Sequence, residues 1–129
     1  MIKAIVEKII TFDDVSLVKF SIDEVLVLSM LSLDNVNLKP KDKVKLGFKS
    51  SNVSISKNKI ENFSIKNEIY CKIIDIQIGK ILSVILLRYK DIEFESIITS
   101  ESAKSLSLKL NDMVFAYIKS TSIYISEIL

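Results

Sequence analysis

The sequence predicts an all-β protein made of two tandem small barrel units. Three observations carry this: period-two alternation of apolar residues, an internal repeat that extends to charged and hydroxyl positions, and a length that leaves each unit only a small core. The chain has 129 residues, 49% of them apolar, enough for one compact domain or two very small ones.

The repeat organises everything else. "LKPKDKVKLGFKSSNVSI", residues 38–55, aligns without gaps on "LKLNDMVFAYIKSTSIYI", residues 108–125. Leu38 meets Leu108, Asp42 meets Asp112, Val44 meets Val114, Lys49 meets Lys119 and Ser50 meets Ser120. Continued backwards, the register sets Ser29 against Thr99 and Ser32 against Ser102. "IKAIVEKI" from Ile2 matches "IYCKIIDI" from Ile69 after a one-residue shift, with a gap of about four residues expected around Phe20 to Leu28. The units are therefore placed at residues 1–58 and 62–129, joined by the polar stretch "SKNKIENF".

Each unit reads as strands. "MIKAIVEKII" begins strand-like. In "DKVKLGFK", Val44, Leu46 and Phe48 alternate with lysines and Gly47, and in "DMVFAYIK", Val114, Ala116 and Ile118 alternate with Phe115, Tyr117 and Lys119. "KIIDIQIGKILSVILL" supplies two β-branched strands with a turn at Gly79, and "IEFESIIT" supplies another. Near "SESAKSL" a brief helical insert is expected, one per unit. Four or five short strands would close into an OB-like barrel, which removes exposed edges. A unit this small is expected to pack on its twin or on partner chains.

Composition narrows the function. Lysine plus arginine number 18 against 16 acidic residues, so the chain is not the strongly basic body of a general nucleic-acid binder. With no histidine, the commonest general base and the usual transition-metal ligand are missing, and an enzyme is not expected. The single cysteine, Cys71, lies in a strand-like run and reads as a small buried apolar residue. Residues 73–87 are interrupted by Asp75, Gln77 and Lys80 and fall short of the roughly 18 apolar residues of a membrane span. Without a signal-peptide pattern, a cytoplasmic location is the default.

The segment "ITSESAKSLSL", residues 98–108, concentrates hydroxyls. Thr99 or Ser100 suits a helix N-cap, which sets Ser102 and Ala103 in the first turn. Their amides and the hydroxyls of Thr99 and Ser102 would form a neutral bowl of donors suited to a tetrahedral oxyanion. Lys119, followed by Ser120 and Thr121, is the cation expected to complete it within the same unit. The same stretch on its own also reads as a capped single turn with solvated serines.

Taken together, "SIKN" (64–67), "CKIIDIQIG" (71–79) and "ITSESAKSLSLKLNDMVFAYIKSTSIYI" (98–125) resemble the molybdate-binding Mop or TOBE family, the molbindins. The resemblance implies a tandem, di-molbindin-like chain holding molybdate or tungstate at contacts between Mop-like units, in a homo-oligomer, with no organic cofactor and no side-chain metal coordination. It implies Ser64, Lys66, Thr99, Ser102, Ala103, Lys119 and Ser120 as oxyanion ligands. Ser29, Ser32, Lys49 and Ser50 are their first-half counterparts, and Lys49 could instead meet the second unit's donors. Lys66 replaces the family's arginine, exchanging a planar fork for a point charge. Ser107 and Asn111 stand where the family carries glycine, which bears on turn geometry. Leu33 replaces Ala103, and the first half holds no copy of the Ser-x-Lys-Asn motif.

Storage, buffering or delivery of the oxyanion is the function so implied. The alternative is a ligand-sensing module of a molybdate or tungstate transport or transcription system. Nucleic-acid binding of the OB type is the remaining reading, and no nucleic-acid partner is expected.

Overall fold

The computed structural model describes residues 2–34 and 36–129. The strands are β1 (Ile2–Phe12), β2 (Val15–Ser21), β3 (Val27–Ser32), β4 (Lys43–Gly47), β5 (Val53–Ser56), β6 (Glu68–Ile78), β7 (Leu82–Tyr89), β8 (Ile92–Thr99), β9 (Met113–Ile118) and β10 (Tyr124–Ile128). One α-helix, α1 (Ser100–Ser105), follows β8, and 3-10 turns occupy Ser50–Asn52 and Ser120–Ser122. Two five-stranded antiparallel sheets result, in the orders β10-β4-β1-β2-β3 and β5-β9-β6-β7-β8. The protein is all-β, with two tandem OB-like units.

Alternation fixes which face each strand buries. Val44 and Leu46 of β4 are fully buried while Lys43 is exposed and Lys45 is half-buried. Val114, Ala116 and Ile118 of β9 are likewise buried. Phe20, Leu28 and Leu46 fill the first core, and Ile73, Ile85 and Leu87 the second. The same side chains recur at matched places: Phe20 pairs across to Val6 and Leu28, as Leu87 does to Ile73 and Phe94. A bulge interrupts β1 between Val6 and Lys8, and another interrupts β6 at the equivalent Ile73 to Asp75.

The compact units do not follow the chain halves. One comprises Met1–Phe48, Ile65–Asn67 and Lys119–Leu129; the other comprises Lys49–Ser64 and Glu68–Ile118. The last strand of each half thus completes the other half's sheet: β10 pairs with β4, and β5 pairs with β9. The crossing points are the equivalent lysines Lys49 and Lys119. We call the two assemblies unit 1 and unit 2.

Strand register also locates the gap in the repeat. Sixteen positions separate Leu28 from Val44, and twenty separate their counterparts Phe94 and Val114. The four extra residues lie after β8, about one helical turn, and they are spent on α1. The gap is therefore not around Phe20 to Leu28 as the sequence suggests. Ser29, opposite Lys19, stands where Glu95 stands opposite Leu86; Ser32, opposite Ser16, stands where Ile98 stands opposite Ser83. Neither occupies the place of Thr99 or Ser102. The helical insert expected of each unit is α1 in unit 2, whereas among the described residues unit 1 has only the 3-10 turn Ser120–Ser122.

Candidate functional site

Thr99 caps α1. Its Oγ1 accepts the Ser102 amide at 3.0 Å and donates to Ser102 Oγ at 2.8 Å. The capped turn explains why Thr, with an extended backbone at φ −69°, ψ 146°, ends β8 and begins the helix. The Ser100 amide is also taken, by Ile81 O at 2.8 Å. Ser100 Oγ donates to Gly79 O at 2.7 Å and shares a hydrogen bond with Ser83 Oγ at 2.8 Å. These buried contacts pin the helix start to the β6–β7 hairpin. Of the two amides expected to face a ligand, that of Ser102 is engaged, and Ala103 is only 3% exposed. The available donor is the exposed Ser102 hydroxyl. Because Thr99 donates into its oxygen, the Ser102 hydroxyl keeps its own proton for another acceptor.

The helix ends in a paired-carbonyl stop. Ser107 N–H donates to Lys104 O and Leu108 N–H to Ala103 O, with Ser107 at φ 51°. Asn111, at φ 71°, and its unit 1 counterpart Lys41, at φ 79°, turn the chain into β9 and β4. The two positions where the family pattern carries glycine thus keep the left-handed backbone without it.

Strand exchange redistributes the expected cations. Lys49 and Ser50 belong to unit 2, where the 3-10 turn Ser50–Asn52 lies against β8. Thr99, Ser102 and Ala103 are in that same unit. Lys119 and Ser120 belong to unit 1, where the turn Ser120–Ser122 lies against β3. The expectation that Lys119 joins Thr99 and Ser102 within one unit is therefore corrected: Lys49 does. The reason is topological, since the segment after β9 leaves for the other sheet. Ser64 is exposed and falls in unit 2.

Lys66 and Asn67 fall in unit 1, together with Ser29, Ser32, Lys119 and Ser120. Lys66 is exposed and Asn67 is 1% exposed. Asn67 Oδ1 accepts the Ser29 amide at 2.7 Å and its Nδ2 donates to Ser29 O at 2.8 Å. A side-chain amide here substitutes for a neighbouring strand along the β3 edge. Asn67 is the last residue of the "SIKN" motif, and the motif alone gives it no task. Ser32 Oγ is occupied in its own bend, donating to Asp34 O and accepting Asp34 N–H.

The segment 57–64 is clasped to unit 2. Tyr117 Oη accepts the Ile60 amide at 2.8 Å and donates to Glu68 Oε2 at 2.8 Å, while Lys59 Nζ reaches Glu68 Oε1 at 2.6 Å. Burial pushes the Glu68 carboxyl up, but the hydrogen bonds from Lys59 and Tyr117 outweigh it and hold the group below its ordinary value. Cys71 lies buried, its thiol pushed up to about 12 by desolvation. Among the described residues no cluster of His, Cys, Asp or Glu could hold a metal ion. No described helix is long and apolar enough to cross a membrane.

Residues 64–125 match the TOBE domain family. Among solved structures, the chain is similar to the cytoplasmic molybdate-binding protein ModG with molybdate bound, with a TM-score of 0.89 and 18% identity over 96% of this chain and 92% of that one. A molybdate-binding protein from Sporomusa ovata is 30% identical over 46% of this chain and 90% of its own, with a TM-score of 0.46. No curated protein matches the chain. The capped turn after β8 and the lysine–serine turn after β9 agree with the family match: residues 64–125 belong to the TOBE domain family.

Proposed function

We propose that this protein binds molybdate or tungstate in the cytoplasm and stores, buffers or delivers it without chemical change. The observation that carries the reading is the hydroxyl pair at the start of α1. Thr99 donates into the exposed Ser102 hydroxyl, and Lys49 and Ser50 lie in the same unit on a turn packed against β8. Neutral donors with one cation suit a compact dianion, because hydrogen bonds to charged groups are about twice as strong as neutral ones. In unit 1 the corresponding cations are Lys66 and Lys119, with Ser120 as hydroxyl donor and Ser29 held by Asn67. The TOBE match and the ModG-like fold support the ligand class.

The working form in this proposal is a homo-oligomer. Both long hairpins end in exposed apolar side chains, Phe12 and Val15 on one and Ile81 and Leu82 on the other, and surface of this kind is commonly covered by another chain.

The test is calorimetric titration of the purified protein with molybdate, tungstate and sulfate, alongside mass measurement in solution. Saturable binding of molybdate or tungstate, weakened in Ser102→Ala, is expected. Absence of binding by all three anions would end the reading.

A further inference from the structure

On the sheet of unit 1, the outer face breaks a rule of strand pairing. Lys3 lies directly opposite Lys45, and Lys8 directly opposite Lys19, both across antiparallel neighbours. Like charges so placed repel one another and destabilise the sheet. Lys43 stands on the same face, opposite Ile5. Among the described residues, one ion pair relieves the group, Lys45 Nζ to Glu127 Oε2 at 3.5 Å. Lys3, Lys8, Lys19 and Lys43 are exposed.

The fold does not require these lysines. The unit 2 counterpart of Lys3 and Lys45 is Tyr70 opposite Phe115, with ring centroids 4.7 Å apart, and the counterpart of Lys8 and Lys19 is Asp75 opposite Leu86. Paired lysines are thus a property of one unit, kept against their own repulsion, which is the mark of a surface with a task.

We propose that this face docks an extended acidic segment of a partner protein, in which carboxylates alternate with aliphatic side chains. Three features select that partner. Ile5, 45% exposed, lies among the lysines, and Ile10, 48% exposed, continues the same strand. Aliphatic surface there suits aliphatic side chains. The aromatic residues of β1 and β2 are Phe12, at the far end of its strand, and the buried Phe20, so no ring lies between the paired lysines for nucleic-acid bases to stack on. Among the described residues, the one ion-pair partner the face already holds is a carboxylate, that of Glu127 on the neighbouring strand β10. Residues two apart on a strand project to the same side about 7 Å apart, the spacing at which an extended chain presents every second side chain.

Fluorescence anisotropy with a labelled peptide of alternating glutamate and valine tests the docking, with an oligothymidylate of equal charge as the competing ligand class. The peptide should bind the full-length protein at low salt and release as salt screens the charges. Lys3→Gln with Lys19→Gln should weaken it by about tenfold or more. Lys72→Gln with Lys109→Gln, in unit 2, should leave it within about twofold. Ile5→Ser should weaken peptide binding by about threefold. The proposal is overturned if the peptide does not bind at low salt, if both double variants lose equally, if Ile5→Ser changes nothing, or if oligothymidylate binds as tightly as the peptide.

Discussion

Asn67 grips Ser29 with both ends of its amide, accepting from the backbone N–H at 2.7 Å and donating to the carbonyl at 2.8 Å. The edge strand β3 thereby finds a partner that no strand provides. Asn67→Ala removes both bonds and leaves two backbone groups of a half-buried residue unmatched. A loss of about 2–4 kcal/mol is expected, read as a lower urea midpoint at an unchanged slope. Asn67→Asp should do no better, because a carboxylate oxygen would face the Ser29 carbonyl. A stability equal to the parent's would show that water replaces the grip.

The exchange of terminal segments gives Lys49 and Lys119 different neighbours. Lys49 shares unit 2 with Thr99 and Ser102, whereas Lys119 shares unit 1 with Lys66. Lys49→Ala should therefore weaken oxyanion binding about ten- to hundredfold at the site that Ser102→Ala also weakens. Lys119→Ala should act on a separate class of site. Calorimetry of the double variant Lys49→Ala with Ser102→Ala discriminates: strong non-additivity is expected for residues sharing one ligand. Simple additivity would separate Lys49 from the serine.

Much of this architecture was legible in the sequence. Val44, Leu46, Val114 and Ala116 alternate as half-buried strands must, and the charged positions of residues 38–55 and 108–125 exposed the repeat. The strand exchange was not legible, because "SSNVSI" and "STSIYI" have the same pattern and either could complete either sheet. The position of the gap was hidden for a related reason: Ser29 and Ser32 imitate Thr99 and Ser102 in type and spacing. Only cross-strand register, with Ser29 beside Lys19 and Glu95 beside Leu86, reveals that four residues were inserted after β8. Asn67 was visible as a letter in a motif, but its contact 38 positions away was not.

Ser107 sits at φ 51°, past the end of α1, in a conformation that costs an L-residue roughly 1–2 kcal/mol and glycine almost nothing. Its side chain is exposed and its backbone N–H satisfies Lys104 O. Ser107→Gly should raise stability by about 1 kcal/mol, seen as an increase in Tm. Ser107→Ala, which keeps the Cβ, should bring no such gain. Equal behaviour of the two would show that the turn is unstrained.

The Glu68 carboxyl is held below its ordinary value by Lys59 and Tyr117, against its burial. A group depressed in the folded state contributes stability above its unfolded value, roughly pH 4, and that contribution disappears as pH falls through the folded value. Acidification below about pH 4 should therefore loosen residues 57–64 by removing the acceptor that Lys59 and Tyr117 share. Amide exchange at Ile60, which donates to Tyr117 Oη at 2.8 Å, reports the loosening. In Glu68→Gln the carboxylate is absent at every pH, so the acid-dependent step at Ile60 should vanish. Its persistence would assign the step to another carboxyl.

β10 completes the sheet of unit 1 from the far end of the chain, with Ile125 opposite Leu46 and Tyr124 opposite Gly47. The Tyr124 ring lies where a Cβ on residue 47 would come within 2.7 Å of it, so glycine is needed for the strands to approach. Ending the chain after Ser122 removes this strand and the buried Ile123, and uncovers the edge of β4. Every strand of the other sheet, with α1, lies within residues 53–118. Hydrogen exchange of the truncated chain should therefore show lost protection across β1 to β4, with β6 to β9 still protected. Gly47→Ala should shift the same four strands in the same direction by a smaller amount, since the ring can be displaced while the strand remains. Uniform loss across both sheets on truncation would mean that they unfold as one cooperative body, and the exchanged strand would then be a tie between units rather than a part of one.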